Sequence, residues 1–225
     1  MLIYAHRGAH TTHPEHTLLA YEAGISEGAD GFECDIRLTK DGEMICWHDS
    51  TTLRMTGKKH RISSSSYEEL AFASPLKFEA LLDLAIQNKK NLAVETKHPV
   101  PTGSAIEIEL LKLLDRKQRE ISASGIWITI MSFSERAVRR LCKSPFESVF
   151  LIQHPLFLQS NPAPILGPGI HIVRKNPELV SQMHKQGKKV FVWTVNEAVD
   201  VRLCHELGVD VIMSDKPALA REALG

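Results

Sequence analysis

Short runs of apolar and β-branched residues alternate along this chain with longer stretches in which apolar positions recur every three or four residues. The short runs predict strands over residues 2–5, 31–36, 91–95, 126–131, 148–152, 169–173, 190–194 and 210–213. The longer stretches predict helices over residues 15–27, 78–88, 104–119, 135–142, 177–186, 198–207 and 217–224. Strands that alternate with helices predict a parallel sheet, and eight strands are what closes a TIM (β/α)8 barrel. An open doubly wound sheet is the alternative. Its nucleotide-binding form needs a glycine-rich first loop, and residues 6–14 carry one glycine, Gly8.

Two regions interrupt the alternation. Residues 43–47 read as an extra strand after the turn signal Lys40-Asp41-Gly42, forming a hairpin with the end of strand two. Residues 49–75 then form a short insertion with one helical piece at 67–70, and the four serines Ser63–Ser66 read as a mobile turn. The second interruption is Pro-rich, at 155–168, and predicts an irregular connection in which helix five is missing or very short. Residues 1–225 read as a single domain.

Composition narrows the function classes. Lys+Arg 27 against Asp+Glu 27 gives a formal net charge of zero. A general nucleic-acid or anionic-membrane binder carries a basic excess instead. Cys34, Cys46, Cys142 and Cys204 show no zinc or disulfide spacing, and Cys34 and Cys46 read as buried free thiols. No run reaches the roughly 18–20 apolar residues of a membrane span. The N-terminus has no signal-peptide pattern, so the expected address is cytoplasmic.

The residues that can carry chemistry sit at the ends of the strand-like runs. Glu33 and Asp35 are two apart on a strand and share a face, while Phe32, Cys34 and Ile36 take the other. Glu95 ends the third strand in the same way. Carboxylates crowded at a barrel mouth repel one another, and a bound cation relieves that. An all-oxygen set suits Mg2+ or Ca2+ better than Zn2+. The plainer reading of Glu33 and Asp35 is a solvated edge, paired to Arg37 or Lys97.

His6 ends strand one and His48 ends the extra strand, and such a pair can supply a general base and a general acid. Arg7 offers a planar fork of donors for phosphate oxygens, and Lys97 lies on the same face as Glu95. Trp193, and more weakly Phe133, can wall a pocket. Asp49 and Glu15 are supporting candidates, Asp49 to orient its loop and Glu15 to fix a histidine tautomer. His10, His13, His154 and His171 read as structural.

In this order and together, His6-Arg7-Gly8, Pro14-Glu15-x-Thr17, Glu33-x-Asp35, His48-Asp49, Glu95-x-Lys97, Val192-Trp-Thr-Val-Asn196 and the segment 208–215 closed by Pro217 resemble the glycerophosphodiester phosphodiesterase family over nearly the whole chain. The resemblance implies a TIM barrel with a small insertion after strand two. It implies hydrolysis of a small-molecule glycerophosphodiester substrate to glycerol 3-phosphate and an alcohol. It makes Glu33, Asp35 and Glu95 the metal ligands and His6 and His48 the acid/base pair. Arg7 and Lys97 fall near the phosphate, and Trp193 against the glycerol moiety. His16 stands where the family most often has asparagine, which predicts altered substrate contacts. Other readings are a phosphodiesterase acting on lysophospholipids or phosphoinositide-like headgroups, and a catalytically silent phosphodiester-binding barrel.

Overall fold

The computed structural model describes residues 1–225, with only the backbone at 159 and 160. Among the described residues the strands are β1 (Leu2–His6), β2 (Gly31–Leu38), β3 (Met44–Cys46), β4 (Leu76–Lys77), β5 (Asn91–Thr96), β6 (Ile128–Ser132), β7 (Glu147–Ile152), β8 (Ile165–Pro168), β9 (Lys189–Val192) and β10 (Val211–Ser214). Between and beyond them run α1 (Leu18–Ser26), α2 (Leu53–Thr56), α3 (Phe78–Gln87), α4 (Ala105–Arg116), α5 (Gln118–Ser124), α6 (Glu135–Leu141), α7 (Ile170–Lys175), α8 (Glu178–Lys185), α9 (Ala198–Glu206) and α10 (Pro217–Glu222). Strands β1, β2 and β5–β10 pair in parallel, and the β1–β2 and β1–β10 pairings close them into an eight-stranded barrel. β3 adds antiparallel to the end of β2, with Ile36 opposite Cys46 and Leu38 opposite Met44.

The two-residue period of a strand sorts the core into two layers. Outward residues of β2 and β5 (Phe32, Cys34, Ile36, Leu92, Val94) pack under α3 and α4 against Phe78, Leu81 and Leu110. Inward residues fill the barrel, among them Tyr4, Ala93, Met131, Leu151, Phe191 and Met213. Gly31 makes room for the largest of these. A Cβ there would lie 2.8 Å from the Tyr4 ring and 2.7 Å from the Asn91 carbonyl oxygen. Packing fills the barrel's lower levels, so the next inward positions, at the C-terminal strand ends, form the mouth.

Several boundaries differ from the sequence expectation, for physical reasons. Residues 169–173, expected as strand six, form the start of helix α7, and the sixth barrel strand is Ile165–Pro168. The β-branched run Ile170-His171-Ile172-Val173 imitates a strand, but Ile170 N–H donates to the Trp193 carbonyl and turns the chain. Pro168 is tolerated because it closes the strand and serves it through its carbonyl, which accepts from Trp193 N–H. The connection from β7 to β8 carries a 3-10 turn, Pro155–Ser160. The helix expected over 104–119 is two, α4 and α5, parted at Lys117. The helical piece expected at 67–70 is a turn leading into a 3-10 turn, Ala71–Ala73. The serine run is packed rather than loose: Ser65 is buried and its carbonyl accepts from Lys40 N–H. Helix α1 begins at Leu18 rather than 15, with the Thr17 hydroxyl accepting from Ala20 N–H as its cap.

Candidate active site

Each mouth residue lies two positions beyond a barrel-filling one: His6 after Tyr4, Glu95 after Ala93, Phe133 after Met131, Gln153 after Leu151, Trp193 after Phe191, Asp215 after Met213. A cavity of about 270 Å³ opens among them. His6, Arg7, Glu33, His48, Glu95 and Lys97 line one side, and Trp193, Phe133 and Gln153 line the other. Trp193 and Phe133 meet edge to face, 5.2 Å between ring centres, and the Trp193 indole N–H is held by the Gly167 carbonyl at 2.8 Å.

Carboxylate oxygens of Glu33, Asp35 and Glu95 lie within 4.8 Å of one another, and all three residues are buried. This is no solvated edge. Lys97 Nζ stands 3.0 Å from Asp35 and 2.8 Å from Glu95. Arg7 Nε stands 3.0 Å from Asp35, although its angle is not that of a hydrogen bond. Arg37, the other partner considered for these acids, instead donates twice to the His48 carbonyl at 3.0 and 2.7 Å. Three carboxylates thus face two cations. Burial and the neighbouring Asp35 charge push the Glu95 carboxyl up to about 8 and raise Glu33 well above the ordinary range. Burial works against ionised Asp35 too, but Lys97, His16 and Arg7 overcome it and hold that carboxyl well below its usual value. Two of three clustered acids therefore resist ionisation with the charge available. A divalent cation is the group that would let all three ionise, so the donor set fits a hard, oxygen-seeking ion.

The histidines are anchored from behind. His6 Nδ1 donates to Asp215 Oδ1 at 2.7 Å, and His48 Nδ1 donates to Asp49 Oδ1 at 2.7 Å. An ionised carboxylate only accepts, so each Nδ1 carries a proton and each Nε2 is the nitrogen left to take up or give up a second one. Burial is the largest influence on both rings and lowers both below the ordinary imidazole value. His6 Nε2 lies 3.8 Å from Glu33 Oε2, beside the acidic trio.

The supporting residues partly differ from expectation. Glu15 touches neither catalytic candidate; it accepts from Arg54 at 2.7 and 3.0 Å and from Arg7 at 3.4 Å. Asp49 orients its own neighbour His48 and is itself held by Arg54 Nε at 2.6 Å. His16 does not border this cavity: it is buried, with Nε2 3.0 Å from Asp35 and Nδ1 2.9 Å from Tyr21 Oη. Its role falls on an acid of the trio rather than on a ligand. In the sequence, Asp215 and Asn196 stand only as parts of motifs and His10 reads as structural, so none of the three carries a site role there. Asp215 also accepts from His10 Nε2 at 2.9 Å and from Asn196 Nδ2 at 2.6 Å. The period of β10 carried the signal, since Val211, Met213 and Asp215 all point inward.

The turn that brings Arg7 here needs unusual backbone. Arg7, Gly8 and His16 all take positive φ, and a Cβ on Gly8 would stand 2.6 Å from that of Ala20. Arg7 N–H donates to the Glu33 carbonyl, and His16 N–H to the Arg7 carbonyl. The motif thus ties strand one, strand two and the first loop together.

The sequence pattern of the glycerophosphoryl diester phosphodiesterase family matches residues 6–219. The chain belongs to this family. It is 35% identical to the probable glycerophosphodiester phosphodiesterase 1 of Mycobacterium tuberculosis, over 96% of this chain and 89% of that one. It is 28% identical to a Bacillus altitudinis glycerophosphodiester phosphodiesterase, over 96% of this chain and 94% of that one. Solved structures of the family share the fold. The Thermotoga maritima glycerophosphodiester phosphodiesterase superposes with a TM-score of 0.83 at 19% identity, covering 99% of this chain and 97% of that one. An Oleispira antarctica phosphodiesterase, solved with the product sn-glycerol-3-phosphate, superposes with a TM-score of 0.78 at 18% identity, covering 100% of this chain and 96% of that one.

Proposed function

We propose that this chain hydrolyses glycerophosphodiesters to glycerol 3-phosphate and an alcohol, in a reaction dependent on Mg2+ or Ca2+ held by Glu33, Asp35 and Glu95. The observation that carries this reading is the convergence at one cavity of a buried trio of carboxylates, two of which line it, with two cations and two histidines, each histidine with its Nδ1 tied to an aspartate. Family membership supports it, as does the product bound by the Oleispira antarctica relative.

When bound, the cation supplies charge neutralisation at the phosphoryl oxygens. The chain does the rest. Arg7 presents a fork of donors and Lys97 a point charge, so the phosphate is held at the Arg7–Lys97 side of the cavity, away from the aromatic wall. Trp193 and Phe133, locked edge to face, form an apolar wall for the glycerol carbons. One histidine enters neutral and takes a proton from the attacking oxygen at Nε2, while the other enters as an imidazolium and gives its Nε2 proton to the departing alcohol oxygen as that oxygen's bond to phosphorus breaks. Asp215 and Asp49 keep both rings in the required tautomer and stabilise the imidazolium that each becomes in turn.

The test is release of glycerol 3-phosphate from glycerophosphodiesters by protein freed of metal and then resupplied with Mg2+ or Ca2+. His6→Ala and His48→Ala should each lower kcat at least about a hundredfold while circular dichroism stays unchanged. Normal turnover by both folded variants would overturn the assignment.

A further inference from the structure

A second cavity is larger than the one that holds the acids and histidines. It lies beside that one, about 590 Å³, and the two share Phe133 as a common wall. Its other borders are the loop after β5, from His98 through Val100 to Ser104, and the face of α6 that bears Arg136 and Arg140. His98 follows Lys97 directly, so the two cavities meet at the end of β5 as well as at Phe133.

The charge of this lining is one-sided. Glu107 is buried behind it and engages two of its lining side chains: it bonds to His98 Nε2 and to Arg140 Nη2, the latter at 3.2 Å. Arg136 is exposed and has no ion pair among the described residues. No Asp or Glu is among the residues that border the cavity. A cationic substituent, such as a choline or ethanolamine ammonium, therefore finds no carboxylate here. An anionic substituent finds the Arg136 fork and, beside it, Arg140.

Resting on the hydrolase reading above, we propose that this second cavity receives the alcohol half of the substrate and favours alcohols that carry an anionic group, a carboxylate or a phosphate. Phe133 divides the two halves, with glycerol on its Trp193 side and the alcohol on its Arg136 side. Helix α6 is held in place for this. Its Ser134 cap accepts from Ala137 N–H at 3.3 Å, and Ala137, Val138 and Leu141 are buried on its inner face. That leaves Arg136 and Arg140 on the cavity side.

Two substrate pairs test the assignment, each differing by one anionic group. Glycerophosphoserine against glycerophosphoethanolamine isolates a carboxylate. Glycerophosphoglycerol with and without a terminal phosphate isolates a phosphate. In at least one pair the anionic member should have the higher kcat/KM by about fivefold, the size of an exposed charge-assisted contact, and the ratio should shrink as salt is added. Arg136→Gln should bring that ratio to about one. Arg139→Gln, on the same helix but paired to Glu135 at 2.7 Å and outside the cavity, should keep it. Ratios near one in both pairs for the unaltered protein, or a ratio that Arg136→Gln leaves intact, would overturn the assignment while leaving the hydrolase reading standing. Failure to turn over any of the four esters would overturn both.

Discussion

At the scale of single residues, the site is organised by aspartates that touch neither phosphate nor glycerol. Asp215 gathers His6, His10 and Asn196 around one carboxylate, and its own carboxyl is held well below the ordinary range: burial opposes ionisation, and the hydrogen bonds from His10 and His6 outweigh it. Asp215→Asn keeps the shape but can offer an amide N–H where His6 needs an acceptor. Turnover should fall by more than about tenfold, with less change in KM, because the wrong tautomer of His6 is then favoured. An unchanged kcat would show that His6 needs no such partner. The acids, histidines and Arg7 were legible in the sequence because each sits at a strand end in a short motif. The function of Asp215 was harder to read, because its histidine partners lie about two hundred residues away and only barrel closure joins β1 to β10. His16 was hard to pair with its partner for a similar reason. Its neighbours in sequence face a loop, yet its ring turns inward to Asp35.

Between elements, the insertion after β2 is tied to the barrel mouth through Arg54 of α2. One guanidinium joins Glu15 from the first loop to Asp49, and through Asp49 to His48. Arg54 is about half exposed, at 47% of its side chain, so its ion pairs contribute little to global stability. Arg54→Gln should therefore leave the thermal midpoint within about 2 °C and lower kcat by about three- to tenfold, through a less well-held His48. A fall in stability without a fall in kcat would reverse that reading. Backbone geometry constrains the first turn more severely. Gly8→Ala forces a side chain into positive φ and against Ala20, and should cost about 1–3 kcal/mol in denaturant unfolding. A variant as stable as the parent would show that this turn can relax. The alternation of strands and helices was readable from hydrophobic period alone. Strand six was not, because β-branched residues favour strands locally while the Ile170 N–H bond to the Trp193 carbonyl decided the outcome from outside the segment.

For the molecule as a whole, zero net charge conceals strong internal pairing. Glu107 is buried where α4 meets α6 and the loop after β5. Burial works against its charge, but His98 and Arg140 prevail and depress its carboxyl. The folded state thus holds the proton more weakly than the unfolded chain does. The resulting stability is present above the ordinary glutamate value of about 4.3 and is lost as pH falls through the lower folded value. Asp215 acts in the same direction. The contribution of Glu107 and Asp215 should therefore be flat through neutral pH and be lost below about pH 4, whereas the raised Glu95 and Glu33 carboxyls take stability away as pH climbs through neutrality in the absence of a cation. Glu107→Gln should be less stable at pH 7 by about 1–3 kcal/mol and should show a shallower acid decline. Equal acid slopes for variant and parent would remove Glu107 from this account. Among the described residues no helix is long and apolar enough to cross a membrane, in line with the chain's short apolar runs. The helix count was less legible than the strand count: Lys117 parts a continuous helical pattern into α4 and α5 without any glycine or proline to announce it.

The proposed chemistry needs three acids from two neighbouring strands to share one cation. A crystal soaked with Mg2+ or Ca2+ tests this most directly. The expected result is an ion bound jointly by Glu33, Asp35 and Glu95, with the Lys97 ammonium moved off Asp35 and Glu95. An ion found only between His6, His10 and Asp215, or an acidic trio that stays empty at saturating metal, would contradict it.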